Sequence, residues 1–168
     1  MLNRHRTALA TAALAGLALA TIGAALPATA APAPVRLSLN KTATASSELN
    51  ATMAAHFVDD GKLGTRWSSQ PAPTKQWIKI DLGKKYSLDR VELRWAYDYA
   101  KSERVQISTN NATWTEIYQN TDVTKRNQSI PVGATARYVR VVGDKAAYNN
   151  GYAINEFAVY GIDTAPAK

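Results

Sequence analysis

Beyond residue 34 the chain is written in short runs that alternate apolar and polar side chains. Ile78-Lys79-Ile80-Asp81-Leu82 alternates strictly and stops at Gly83. Val91-Glu92-Leu93-Arg94-Trp95 does the same, with opposite charges on its polar positions. Arg104-Val105-Gln106-Ile107-Ser108 follows and meets the turn pair Asn110-Asn111. Residues 114–118 are rich in aromatic and β-branched types, Tyr138-Val139-Arg140-Val141-Val142 ends at Gly143-Asp144, and Phe157-Ala158-Val159-Tyr160 ends at Gly161. A period of two between turn residues predicts half-buried strands, and no long stretch carries the helical period. Strands at this spacing predict an all-β fold, an antiparallel β-sandwich of the jelly-roll kind. The predicted inward set is Ile78, Ile80, Leu82, Val91, Leu93, Val105, Ile107, Val139, Val141, Phe157 and Val159, with Trp67, Trp77 and Trp95 joining the core. The facing of Trp114 is left open.

The first thirty residues change the picture of length and place. Arg4 and Arg6 precede an apolar Ala/Leu-rich run over residues 8–26, and Ala28-Thr29-Ala30 supplies small residues for cleavage. That is the layout of a secretory signal peptide over residues 1–30. Gly16 and Gly23 interrupt the run and Pro27 precedes the small-residue site, which favours cleavage over a membrane anchor. The expected organisation is then an Ala/Pro linker over 31–35, one domain over 36–161 and a disordered tail over 162–168. The expected product is secreted and monomeric, with no stable membrane insertion after cleavage. A chain of this length buries roughly two-thirds of its unfolded surface, enough for a core without disulfides, and there is no cysteine.

Charge adds less. The chain carries +7, and from residue 31 onward +5, with 18 basic against 13 acidic residues. A basic surface favours anionic partners such as a cell-wall polymer. The cations are scattered, though, and the densest runs are pairs such as Lys84-Lys85 and Lys125-Arg126, which read as solvated surface. No nucleic-acid motif occurs. Catalysis finds little to work with. There is no thiol, His56 is the only histidine after the leader, and neither a Gly-x-Ser-x-Gly nor a His-Glu-x-x-His pattern is present. A non-catalytic protein is expected.

Three ordered segments carry a family likeness. They are residues 58–69 (Val-Asp-Asp-Gly-Lys-Leu-Gly-Thr-Arg-Trp-Ser-Ser), residues 76–83 (Gln-Trp-Ile-Lys-Ile-Asp-Leu-Gly) followed by Asp89-Arg90-Val91, and residues 136–141 closed by 154–161. Together they resemble the discoidin or factor 5/8 type C domains, in particular the bacterial family 32 carbohydrate-binding modules, over about residues 36–161. The resemblance implies a galactose-binding-domain-like sandwich, with a ligand site among loops at one end and a carbohydrate as partner. The alternative within the family is a phospholipid- or protein-binding adhesion module, which would expose apolar loop tips such as Leu49 and Met53.

The resemblance also implies a structural Ca²⁺ site. Asp60 and Glu156 would give carboxylates, Thr65 its hydroxyl and carbonyl, and Phe57, Lys62 and Asn155 their carbonyls. The residues make independent sense, since Asp60-Gly61 is a turn that gathers hard oxygens, which calcium prefers. The other reading is a plain turn with Glu156 paired to Arg66 or Lys62. Lys62 stands where relatives often carry Asn or Asp. The resemblance further implies that the ligand site is lined by loops corresponding to 46–56, 68–75, 96–102 and 145–152, and these hold the aromatic rings and fixed polar groups that sugars require. By the same resemblance Arg66 leads the candidates, since related modules often use an arginine here to contact the ligand, with a salt bridge at the foot of its loop as the other reading. Glu48, Tyr97, Asp98, Tyr99, Tyr148, Asn150 and Tyr152 complete the set. Tyr97 and Tyr148 are expected to be exposed, because no strand pattern claims them.

Overall fold

The computed structural model describes residues 31–71 and 75–163, so the expected leader and residues 164–168 of the expected tail lie outside the described residues. Eight strands form: β1 Val35–Arg36, β2 Thr42–Ala45, β3 Trp67–Ser68, β4 Gln76–Trp95, β5 Ala100–Ser108, β6 Thr115–Asn120, β7 Asn127–Ala146 and β8 Ala153–Ile162. Every pairing is antiparallel. Two short 3-10 turns, Ala51–Met53 and Ala55–Val58, interrupt the loop between β2 and β3.

Two long strands organise everything else. β4 and β7 pair along nearly their whole length, from Gln76↔Gly143 to Arg94↔Asn127. Their register shifts between Asp81 and Tyr86, next to Gly83, which holds φ +89°, a value that disfavours any side chain. The first half of β4 lies beside β2, and the matching half of β7 carries β5 and then β6. The second half of β4 lies beside β8, which also holds β1 and β3. The same two strands therefore run through both layers of an open antiparallel sandwich. That is the expected fold class.

The period-two expectation holds throughout the core. All eleven residues of the predicted inward set are buried, together with Trp67 and Trp95. Trp77 is the exception. Counting back from Ile80 and Ile78 places it on the outer face, where it is half-buried beneath Lys79, whose Nζ lies 5.6 Å from the ring centroid. Trp114 is also half-buried and stacks under the Arg140 guanidinium at 4.0 Å.

Both domain boundaries move outward by a residue or two. Val35, expected in the linker, pairs with Gly161, and Ile162, expected in the tail, pairs with Ser87. Asp163 beyond it accepts from Lys84 Nζ at 3.0 Å. Among the described residues no helix is long and apolar enough to cross a membrane.

Candidate functional site

The loops that leave the β2, β3, β4, β6 and β7 ends are sewn together by backbone hydrogen bonds. Leu49 N donates to Ser68 O (2.8 Å), Ser69 N to Tyr152 O (2.8 Å), Ala96 N to Ala153 O (2.9 Å), Ala147 N to Tyr99 O (3.0 Å) and Trp95 N to Arg126 O (2.9 Å). Gln70 adds a side-chain tie, its Nε2 donating to Glu48 O at 2.9 Å. Gly151 makes the closest crossing possible. It holds φ +87°, and a Cβ there would lie 2.6 Å from Ser69 Oγ and 2.7 Å from Gln70 O.

Tyr152 lies beneath these loops. Its ring rests on Gly143, where a Cβ would come within 2.3 Å of it, and only 2 % of the residue is exposed. Tyr152, expected from sequence as a ligand residue, is thus a nearly buried floor for the loops that reaches the surface only in the wall of a cleft. Its hydroxyl is pushed up by burial, with a smaller push from Asp144.

The exposed aromatic face is made by a different pair. Tyr97 and Tyr148 stack with centroids 4.8 Å apart and planes 2° from parallel, and Tyr99, half-buried, meets Tyr148 edge-on at 6.1 Å. Tyr97 stays 64 % exposed and Tyr148 42 %. Each ring supports the other, so neither must be ordered from a free rotamer when a ligand arrives. The Tyr97 hydroxyl is pushed up, chiefly by the neighbouring Tyr148 hydroxyl.

Two carboxylates stand on these loops, Asp98 next to Tyr97 in the chain and Glu48 between β2 and β3. Asp98 Oδ1 accepts from Asn150 Nδ2 at 3.1 Å, and Glu48 Oε1 accepts from Ala55 N at 2.8 Å. Neither has a basic side chain within ion-pair distance among the described residues. Arg66 is exposed and makes no salt bridge there either, its Nη2 reaching only Met53 Sδ at 3.9 Å. Met53 is half-buried in that contact, while Leu49 is exposed.

Tyr97 and Tyr148 each line a shallow cleft. One, of about 690 Å³, runs between Tyr97, Arg66 and residues 125–127, with Trp95 and Asn155 in its wall. The other, of about 450 Å³, is bounded by Tyr148, Pro71, Asp144, Lys145, Ala146 and Asn149, with Tyr152 in its wall. Below the first cleft, Trp95 Nε1 donates to Glu103 Oε2 at 2.6 Å. Burial pushes the Glu103 carboxyl up to about 7, while Gln128 and Trp95 hold it down less strongly. Neither Glu103 Oε1 nor Gln128 Nε2 completes a hydrogen bond of ordinary geometry. Glu103 went unnoticed in the sequence, although counting back two from Val105 places it inward.

The expected cation loop has a telling arrangement. Thr65 Oγ1 lies 2.8 and 3.0 Å from the two Asp60 carboxylate oxygens and 2.9 Å from Lys62 O. One hydroxyl has one proton, so it cannot satisfy three acceptors at once. Oxygens gathered this way fit a hard cation. Glu156 is buried and paired with Arg36, not with Arg66 or Lys62. Asn155 turns its amide toward Leu63 O and Thr65 O at 3.3 Å, and Phe57 is half-buried against His56. Asp59 is also buried, its Oδ2 accepting from Lys41 N at 2.9 Å. Among the described residues no group of three His, Cys, Asp or Glu side chains converges, so carbonyl and hydroxyl oxygens would have to complete any coordination shell.

The model of the F5/8 type C domain matches residues 42–157. The chain belongs to this family. It is similar to chitosan-binding module 1 from a chitosanase/glucanase of Paenibacillus sp. IK-5, with 39 % identity, TM-score 0.73, and coverage of 76 % of this chain and 99 % of that one. Chitosan-binding module 2 of the same enzyme, solved in complex with chitotriose, is 35 % identical at TM-score 0.71, covering 74 % of this chain and 99 % of that one. The Clostridium perfringens domain CpGH89CBM32-5, solved with GalNAc-beta-1,3-galactose, shares the fold at 20 % identity and TM-score 0.66, covering 74 % and 99 %. No curated protein matches the chain.

Proposed function

We propose that this F5/8 type C domain is a non-catalytic carbohydrate-binding module. It acts outside the cell after removal of the leader, and its loop end takes a short stretch of an amino-sugar polymer of the chitosan kind. The observation that carries the reading is the exposed Tyr97–Tyr148 stack beside the Asp98 carboxylate, with a second carboxylate, Glu48, on the loop between β2 and β3, neither of them in an ion pair among the described residues. The stack offers an apolar face for the C–H face of a pyranose ring. An unpaired carboxylate offers a glucosamine ammonium a charge-assisted hydrogen bond, worth about 1.5–3 kcal/mol. The chitosan-binding and chitotriose-bound relatives support the same ligand class. A shallow site of this kind binds at roughly millimolar to tens of micromolar, about −4 to −6 kcal/mol.

Calorimetric titration with chitotriose, its fully N-acetylated form and cellotriose tests the reading. Chitotriose is expected to bind best, and Glu48→Gln to weaken it about tenfold, in line with the loss of one charge-assisted bond. Equal affinity for all three would remove the amine from the account, and no affinity for any would remove the sugar.

A calcium ion at the Asp60 loop is part of this proposal, held by the Asp60 carboxylate, Thr65 Oγ1 and the Lys62 carbonyl, with Glu156 alongside. It would tie the loop before β3 to β8, and it would stabilise the fold by mass action. Melting temperature is expected to rise with calcium and fall with chelator. Identical melting curves in both would leave a plain turn.

A further inference from the structure

Tyr97 belongs to the sugar platform and also walls the 690 Å³ cleft, whose other charged residues are Arg66, Lys125 and Arg126. None of these three has a carboxylate within ion-pair distance among the described residues. Arg126 Nη1 reaches only Ala96 O at 3.5 Å, and Arg66 Nη2 only Met53 Sδ. The contrast with the strands is sharp. Arg104 holds Asp144 through two bonds of 2.7 Å, and Arg137 holds Asp81 through bonds of 2.7 and 2.8 Å. Three cations from two separate loops therefore line one concavity that has no carboxylate among its lining residues. Low-dielectric walls such as Trp95 focus their field.

We propose that this cleft is an anion subsite that receives the carboxylate or phosphate ester of a sugar unit adjoining the one seated on Tyr97. Guanidinium groups present planar forks of N–H donors that match both anions, and a lysine ammonium adds a point charge. The proposal rests on the reading of Tyr97 and Tyr148 as a sugar platform. It adds that the glycan carries negative as well as amino substituents, which a plain chitosan does not.

The test uses three β-1,4-linked trisaccharides on one gluco skeleton: chitotriose, cellotriose and triglucuronate. Glucose 6-phosphate against glucose serves as the phosphate arm. Each is titrated by calorimetry and by amide chemical shifts. Triglucuronate is expected to bind at least tenfold tighter than cellotriose at low salt and to lose that margin in half-molar salt. Preference for glucose 6-phosphate instead assigns the anion as phosphate and supports the subsite equally.

The Lys125→Ala/Arg126→Ala variant should lose the anionic preference and gain affinity for chitotriose, since two repelling cations are gone. Arg66→Gln, on the other loop, should give the same reversal and guards against a local folding defect in 121–126. Anionic and neutral sugars binding alike, or an anionic preference that survives both variants, would overturn the subsite. If triglucuronate binds and chitotriose does not, the amino-sugar reading fails while the anion subsite stands.

Discussion

The outer faces of the strands and the loop end carry the same charged residue types in opposite states. On the strands, Asp81 and Asp144 are each gripped by an arginine fork, and both carboxyls are held below the usual carboxylate range, Asp81 chiefly by Arg137 and Asp144 by Arg104 and Lys75 against the opposing effect of burial. At the loop end, Arg66, Lys125, Arg126, Glu48 and Asp98 find no opposite charge within ion-pair distance among the described residues. Charges neutralised inside the chain serve the fold. Charges left over at a concave, aromatic end are free to meet a ligand. The difference separates substitutions that should change stability from those that should change only binding.

The largest expected effect comes from Gly143→Ala. The new methyl would stand 2.3 Å from the Tyr152 ring, in a strand with no room to give. Overpacking of this kind costs on the order of 3 kcal/mol. Denaturant melting should show that loss, and chitotriose binding should fall with it because the floor of the loops shifts. A variant as stable as the parent would mean that Tyr152 is not a rigid floor.

Glu103 gives a pH signature of similar size. Its folded carboxyl titrates near 7 against an ordinary value of 4.5, so the folded state holds the proton more tightly than the unfolded one. Stability from this group is therefore greatest below about 4.5 and is lost as pH rises to about 7, on the order of 3 kcal/mol in all. Glu103→Gln keeps an acceptor for the Trp95 indole and should flatten that decline. Parallel pH profiles for parent and variant would contradict the burial argument.

Asp81→Asn should cost less, under about 1 kcal/mol, because its pair with Arg137 is partly exposed. Here the sign reverses. The Asp81 carboxyl is lowered, so the parent's advantage exists at neutral pH and fades as pH falls through the carboxylate range. Melting at pH 7 and pH 3 checks it. The smallest stability effect belongs to Lys125→Ala/Arg126→Ala, which should melt like the parent while its sugar preference changes. A marked loss of stability would move those cations from the ligand to the fold.

Most of the fold was legible in the sequence because a period of two is a local signal. It identifies Ile78, Ile80 and Leu82 as inward, and the same count, applied to their neighbours, would have turned Trp77 outward and Glu103 inward. Hydrophobic type and parity disagree at Trp77, charge and parity disagree at Glu103, and in both the burial follows parity. The loop end was half legible. The exposure of Tyr97 and Tyr148 follows from their lying outside any strand pattern, but their stacking joins residues 51 positions apart and depends on the β4–β5 and β7–β8 loops meeting. Tyr152 stands in equally loop-like sequence, and only its contact with Gly143 shows that it is buried. The Lys125-Arg126 pair was visible as a basic run. Its lack of a carboxylate partner among the described residues is a tertiary fact that no run of letters carries.

The central claim is that the loop end built around Tyr97 and Tyr148 binds sugar. The most direct measurement is a chitotriose titration followed by amide chemical shifts, on the parent and on Tyr97→Ala. The account predicts saturable shifts confined to residues 96–99, 147–150 and the loop around Glu48, lost in the variant while its strand resonances stay in place. Shifts that cluster at the opposite end of the sandwich, or that survive Tyr97→Ala unchanged, would contradict it.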